Sequence, residues 1–270
     1  MRHKSISIHM KTIKRTILIG LMILASVQLT QGQVLLSILF GDNLNTPKLE
    51  FGLNAGFNYS YIRGIEGSKG MRNFELGFYF DYLIKMDKPW YIGTGVYVKS
   101  NVGGTNIPMD YPGNRVIRDS IYTFFNAYGA TVTKKFNTFY VPVNLRYMSK
   151  CGLYVDAGVQ IGLVFKTIDT YTTEISDNDL EYIVKKGVKD NGLYKWFDGG
   201  IDGGIGYKSK SKLGWKIGVY YYVGLTNIYK NDLGPKAYNS SAYILANIPI
   251  GKKKAAKERA AKAAAEAEGK

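Results

Sequence analysis

Residues 153–165 read LYVDAGVQIGLVF, and the alternation within this stretch decides the fold. Every odd-numbered residue from Leu153 to Phe165 is apolar, whereas the even-numbered residues from Tyr154 to Gly162 include an aspartate, a glutamine and two glycines. Successive side chains of a β-strand point to opposite faces, so this alternation predicts a strand with one apolar face. The stretch is also long enough to cross a bilayer, for which a tilted strand needs about 9–11 residues.

Seven further stretches alternate in the same way, the last of them more weakly: residues 49–61, 73–84, 90–98, 139–147, 197–207, 213–225 and 242–250. The apolar face carries no charged residue in any of them, as a lipid-facing surface requires, since Lys or Arg at the bilayer midplane of a barrel costs about 2–4 kcal/mol. A soluble β-sandwich would alternate too, but its outer faces would be rich in Lys, Glu and Thr. Here the polar face carries Gly, Tyr, Asn and a few charges, which favours a small crowded lumen.

The connections between these stretches alternate in length. Short ones span Lys85–Pro89, Ser149–Gly152 and Lys208–Lys212, and the long ones include Asn101–Asn137 and Lys166–Trp196. Membrane barrels have short periplasmic turns and long external loops, with aromatic residues at both ends of the strands. The sequence therefore predicts an all-β fold, an eight-stranded antiparallel up-and-down transmembrane β-barrel with long external loops and both termini in the periplasm. Ten strands, with an extra hairpin in Arg115–Lys135, stay open.

The chain divides into four segments. Residues 1–32 have the basic, apolar and small-residue order of a secretory signal peptide, with cleavage expected before Gln33. Residues 33–48 form an N-terminal lead segment, and residues 49–250 form the barrel. The basic Ala/Lys-rich tail, residues 251–270, predicts a short helical or disordered periplasmic extension, or a basic contact to anionic envelope components. We therefore expect an exported protein of the outer membrane.

Composition excludes several classes of function. The only two histidines, His3 and His9, lie in the export signal, so the exported chain lacks the usual general base and the commonest zinc ligand. The single cysteine, Cys151, excludes an internal disulfide framework and a multi-cysteine metal site. Much of the net charge of +15 comes from the two terminal segments, so no nucleic-acid partner is expected. We predict no catalytic, cofactor-binding or metal-binding residues, and no cofactor.

Charged residues on the polar faces form the candidate site. An eight-stranded barrel encloses just enough room for its own side chains, so these groups are expected to interlock as a lumen charge network. A narrow charged channel or a small-ligand site is the alternative. The predicted members are Glu50, Glu75, Asp81, Lys99, Arg146, Asp156, Asp198, Asp202 and Lys216. The glycine-rich run 199–206 lies inside an alternating strand with no helix after it, so it lacks the context of a phosphate-binding loop.

Two adjacent segments carry a family resemblance. Residues 139–147 (FYVPVNLRY) are followed by a short turn and then by residues 153–162 (LYVDAGVQIG). Together with residues 197–198, 203–207 and 224–228 they resemble the PorT-like outer membrane protein beta-barrel domain family, also called the porin family. The resemblance implies an eight-stranded barrel and, for the namesake branch, a part in type IX protein secretion. It brings no catalytic residues.

These observations predict a non-enzymatic outer-membrane barrel of the cell envelope with a lumen filled by side chains. Its expected partners are outer-membrane lipid and envelope or secretion-machinery proteins, and its expected role is envelope assembly, protein secretion or surface interaction. A small passive porin-like channel is the first alternative. An outer-membrane enzyme ranks last.

Overall fold

The computed structural model describes residues 45–46, 48–85, 88–109, 129–177, 180–189, 192–211, 213–230 and 235–250. Its strands are β1 (Leu49–Arg63), β2 (Met71–Leu83), β3 (Trp90–Pro108), β4 (Thr131–Met148), β5 (Leu153–Asp177), β6 (Leu180–Lys189), β7 (Phe197–Lys208), β8 (Lys216–Gly224) and β9 (Tyr238–Pro249). A search of these residues for a helix of sufficient length and apolar character to cross a membrane finds none.

The chain forms two compact units. Pro47–Pro249 is one; the other comprises Met1–Thr46 and Ile250–Lys270, and within it the side-chain amide of Asn45 donates to the carbonyl oxygen of Ile250. The predicted signal peptide and tail, and most of the predicted lead segment, lie outside the described residues.

Eight of the strands close into a ring. The hydrogen-bonded order is β1–β2–β3–β4–β5–β7–β8–β9, and β9 returns to β1 from the pair Gly52 and Pro249 to the pair Arg63 and Tyr238. All neighbours are antiparallel. The predicted eight-stranded antiparallel barrel is therefore confirmed. Closure pairs the backbone groups of every strand in the ring, the condition for a sheet to stand in lipid.

The two faces of the wall differ as the alternation predicts. Val155 exposes 55% of its surface on the outer face, whereas the adjacent Asp156 exposes only 2%. Tyrosines, asparagines and charged residues fill the inner face. The short-turn end is where β2 leads to β3, β4 to β5 and β7 to β8, and there the rings of Trp90 and Tyr147 lie 5.1 Å apart. Toward the other end, here called the long-loop end, Phe139 stacks on Phe165 at 4.5 Å.

The wall is longer at the long-loop end than the sequence predicts. Much of the two segments predicted as loops, Asn101–Asn137 and Lys166–Trp196, is strand, because β3, β4 and β5 continue and β6 pairs with the outer half of β5. The structure adds a hairpin, β5–β6, that the sequence does not predict. Of the alternative extra hairpin in Arg115–Lys135, residues 131–135 belong to β4, and residues 115–128 lie outside the described residues. Inside this extension an apolar cap packs; it includes Ile62, Val102, Ile107, Val132, Phe136 and Leu193. Burial of these side chains accounts for the ordered strands there.

Candidate functional site: the barrel lumen

The charge network begins where like charges face each other along the wall. Glu50 pairs with Asp81 across β1 and β2, and Lys208 pairs with Lys216 across β7 and β8. Like charges directly opposite each other destabilise a sheet. The barrel resolves both pairs across the lumen, because Lys216 Nζ lies 2.7 Å from Glu50 Oε1 and also contacts Asp81, while Lys208 Nζ lies 2.8 Å from Glu50 Oε2. Each unfavourable pair thus compensates the other.

Arg146 joins this layer from β4. Its Nε and Nη2 atoms both donate to Asp156, directly opposite on β5, at 2.7 Å, and its Nη1 donates to Asp81 on β2 at 2.5 Å. The guanidinium must pass β3 to reach β2, and it does so at Gly93, where an added Cβ would lie 3.3 Å from Asp81 and 3.6 Å from Arg146. Bidentate pairing fixes the guanidinium in one orientation. Three carboxylates therefore share three cations: Glu50, Asp81 and Asp156 with Arg146, Lys208 and Lys216.

Tyrosine rings fill the space around these ions. Lys216 Nζ lies 4.0 Å from the ring centre of Tyr79, and the guanidinium of Arg146 lies 4.4 Å from that of Tyr154. The hydroxyls of Tyr154 and Tyr220 are 2.9 Å apart. Gly206 makes this possible, since a Cβ there would approach the Tyr154 ring to 2.2 Å. The glycine run of β7 therefore clears room for tyrosine, as expected of glycine where neighbouring groups approach closely.

The next layer holds three carboxyl groups without a basic partner among the described residues. Glu75 Oε1 accepts from Asn58 and Ser100, each at 2.6 Å. Asp202 Oδ2 accepts from Asn144 at 2.9 Å. Asp198 accepts from Tyr140, Tyr222 and Asn239 at 2.7, 3.1 and 3.0 Å. This layer is a polar plug of tyrosine and amide donors around buried carboxyl groups.

Lys99 is not in the lumen, and its placement in the charge network is wrong. The register between β2 and β3 shifts after the pair Gly77 and Tyr97, so that Lys99 stands opposite Leu76 and Val98 is an extra residue. A bulge of this kind reverses which parity points inward. Both Val98 and Lys99 are exposed, and Lys99 Nζ lies 6.0 Å from the outward-facing ring of Phe74. Beyond the bulge the inward position passes to Ser100.

A second ionic cluster was missed because its residues fall in segments predicted as loops. Lys134 is fully buried and its Nζ lies 2.9 Å from Asp169 Oδ2 and 2.7 Å from the hydroxyl of Tyr194. The signal was present in the sequence, since Val132, Lys134 and Phe136 continue the inward parity of β4. This cluster joins the charged lumen to the apolar cap.

Residues 40–230 match the profile of the outer membrane protein beta-barrel domain. The chain belongs to this family. Among solved structures, this outer membrane beta-barrel domain is similar to Ail, the attachment invasion locus protein of Yersinia pestis, with 10% identity over 75% of this chain and 99% of that one (TM-score 0.40). Neisserial surface protein A matches with 9% identity over 74% and 96% (TM-score 0.34). The Escherichia coli outer membrane protease OmpT matches with 8% identity over 75% and 95% (TM-score 0.22). No curated protein matches the chain.

Membership of an outer membrane family indicates what surrounds the outer face of the barrel. The exposed apolar residues on the outer face of the eight-stranded ring face lipid, and the outer membrane is its location. Among the described residues, tyrosine, amide and charged side chains are buried in the lumen. A cavity of about 30 Å³ lies beside Arg146 and is lined by Asn144 and Asn247, whose side-chain oxygens lack partners, so it suits a single water. Within the described part of the chain, no three His, Cys, Asp or Glu side chains are grouped to hold a metal ion.

Proposed function

We propose that this protein is a non-conducting, non-enzymatic barrel that acts through its surfaces, as a surface-interaction or envelope-assembly component. One observation carries the proposal: the lumen is filled at successive levels along the barrel. The ion-pair layer around Arg146 is followed by the polar plug around Asp198 and then by the apolar cap around Val102. A hydrated ion would have to displace all three.

The extension at the long-loop end supplies a surface for a protein partner. Among the described strands β6 pairs only with β5, so the other edge of β6 presents backbone N–H and C=O groups. An unpaired edge is a template for a strand of another chain, and strand addition is a common mode of peptide recognition. Ile183 on this strand is 62% exposed, which adds an apolar contact beside that edge. We therefore expect a partner that docks in extended conformation.

The finer assignments belong to the same proposal. The PorT-like resemblance of β4 and β5 supports a place in envelope assembly or protein secretion. Residues 1–32 act as a signal peptide, and the short turns and both termini face the periplasm. An enzymatic role is disfavoured because no histidine follows His9, and the charged lumen groups already bond to one another.

Single-channel recording in planar bilayers tests the proposal, with an open porin in the same membranes as the positive control. We expect no steady current from the purified barrel. A steady ohmic current would overturn the closed lumen and leave the passive channel as the function.

For the partner surface, a photocrosslinking residue at Ile183 should give discrete adducts in cells, and the same residue at Lys150, in a short turn, should not give those adducts. Identical adducts from both positions would contradict docking at β6.

A further inference from the structure

The outer face of the barrel carries a groove that is separate from the lumen and from β6, the parts used in the proposed function. The groove is open, about 750 Å³ in volume, and lies where β1 and β2 meet at the long-loop end. Its lining comprises Tyr59, Tyr61, Ser68, Lys69, Gly70, Arg72 and Thr105. Tyr59 and Arg72 are directly opposite each other in the β1–β2 register, and both are exposed. The groove therefore combines aromatic rings with two cationic side chains.

The groove is held in shape by the backbone. Lys69 and Thr105 form an isolated antiparallel bridge, with N···O distances of 2.7 and 2.8 Å, which ties the β1–β2 turn to β3. The Tyr59 ring lies on Gly70, where an added Cβ would come within 2.2 Å of it. The wall and floor of the groove are thus fixed before any ligand arrives, and a preorganised site loses less conformational entropy on binding.

The charge around the groove is one-sided. Lys99, turned outward by the bulge, adds a third cation beside Phe74, which itself packs edge-on against Phe57 at 5.7 Å. Within the described residues none of Lys69, Arg72 and Lys99 forms an ion pair, and the exposed Glu66 of the same turn contacts none of them as a salt bridge. Among the described residues, therefore, Lys69 and Arg72 lie on the long-loop side of the aromatic pair Phe57 and Phe74, and Lys99 lies on its short-turn side, without an ion pair at any of the three.

We propose that this groove binds the phosphorylated headgroup of a membrane lipid in the leaflet at the long-loop end. Acyl chains would run down the apolar face past Phe57, the headgroup would lie against Tyr59 and Tyr61, and phosphate would be bound by Arg72 and Lys69, with Lys99 reaching up from below. A guanidinium matches phosphate geometry, and basic side chains near helix or strand ends extend to the headgroup level. The chemistry of the groove therefore fits an anionic lipid better than a neutral one.

Binding of diphosphoryl lipid A, compared with chemically dephosphorylated lipid A, tests this site. The full barrel is held in neutral-detergent micelles and lipid adducts are counted by native mass spectrometry. We expect the Lys69→Gln/Arg72→Gln variant to lose affinity for the phosphorylated lipid by roughly five-fold per basic side chain removed, about 25-fold in all. Affinity for the dephosphorylated lipid should be equal in wild type and variant.

The matched control is Lys150→Gln/Lys210→Gln, which removes the same charge from exposed positions in the short turns. It should bind phosphorylated lipid as the wild type does. If both double variants lose the same affinity for phosphorylated lipid, the loss is due to net charge alone and the proposed site is wrong. Wild-type binding that does not distinguish the two lipids would also overturn the site. Heat-modified migration on SDS gels shows whether each variant is folded, and we expect folded protein because the substituted side chains are exposed.

Discussion

Lys216 of β8 forms an ion pair with Asp81 of β2, although β9 and β1 separate these strands along the wall. The contact therefore spans the lumen. Both partners are almost completely buried, and each belongs to a cross-strand pair of like charges. The arrangement joins strands that are not neighbours in the wall and occupies the lumen between them, and its contribution to stability can be measured by unfolding from lipid.

Replacement of Lys216 by Met should destabilise the barrel by about 3–5 kcal/mol, because the buried Asp81 and Glu50 each lose one of their two cationic partners. The measurement is urea unfolding in lipid vesicles. In a double-mutant cycle with Asp81→Asn, we expect a coupling of about 0.5–3 kcal/mol. The control is Lys150→Met at an exposed turn position, which should stay within about 0.5 kcal/mol of the wild type. Additive effects at Lys216 and Asp81 would show that the pair does not act as a unit.

Gly206→Ala should destabilise the barrel by about 1–3 kcal/mol, the usual cost of overpacking. Its Cβ would lie 2.2 Å from the Tyr154 ring and 2.5 Å from the carbonyl oxygen of Ile217, and a paired strand cannot move its backbone away. Gly187→Ala is the matched control, since its nearest contact is Cγ2 of Ile168 at 3.9 Å. Equal urea midpoints for the two variants would contradict the tight packing of Tyr154 on β7.

The bulge in β3 predicts which of two adjacent positions reacts with a thiol reagent. In a Cys151→Ser background, Lys99→Cys should react readily with maleimide, because this side chain is exposed on the outer face. Ser100→Cys should resist, since Ser100 is 1% exposed and donates to Glu75 inside the lumen. The reverse order of reactivity would restore the unbroken alternation that places Lys99 inward.

The thiol of Cys151, in a short turn, can be labelled to test which side of the membrane the short turns face. In intact cells a membrane-impermeant maleimide should not reach this thiol, whereas Glu66→Cys in a Cys151→Ser background should be labelled. Labelling of Cys151 before permeabilisation would invert the proposed orientation.

The reactivity of Cys151 should also depend on Ser149. The hydrogen bond with the Ser149 hydroxyl, at 2.9 Å, lowers the pKa of the thiol. The thiolate therefore persists to a lower pH than in an ordinary cysteine, and the alkylation rate should fall only as the pH drops through that lowered pKa. Ser149→Ala should shift the midpoint of the rate–pH curve upward, toward that of an unperturbed thiol. An unchanged midpoint would exclude the hydroxyl as the cause.

The sequence predicts the wall well because lipid imposes a strict rule. A side chain either faces hydrocarbon or faces the lumen, so alternation such as that of residues 153–165 leaves one strand assignment and one inward set. Arg146, Asp156, Asp81 and Lys216 follow from that parity, and the structure brings them together. Their partners across the lumen do not follow, because alternation says nothing of which strands face each other.

Two features escaped prediction for separate physical reasons. An inserted residue such as Val98 shifts the parity without a signature of its own, and Lys99 was therefore placed on the wrong face. Outside the bilayer a strand can carry charged residues on its outer face, so the sequence-based prediction ends β3 too early, begins β4 too late and leaves out Lys134. Extending the alternation of β4 from residue 139 back to Thr131 would have placed Lys134 on the inner face.

The seam between β1 and β9 has a consequence for biogenesis. Among the described strands, the first in the sequence, β1, pairs on one side with β2 and on the other with the last, β9, from Gly52 beside Pro249 to Arg63 beside Tyr238. Until β9 is present, both edges of the sheet carry unpaired backbone N–H and C=O groups, which are costly in hydrocarbon. We therefore expect closure in the bilayer to require β9, and before closure the free edges of β1 and of the last strand formed need water or another protein as hydrogen-bond partner.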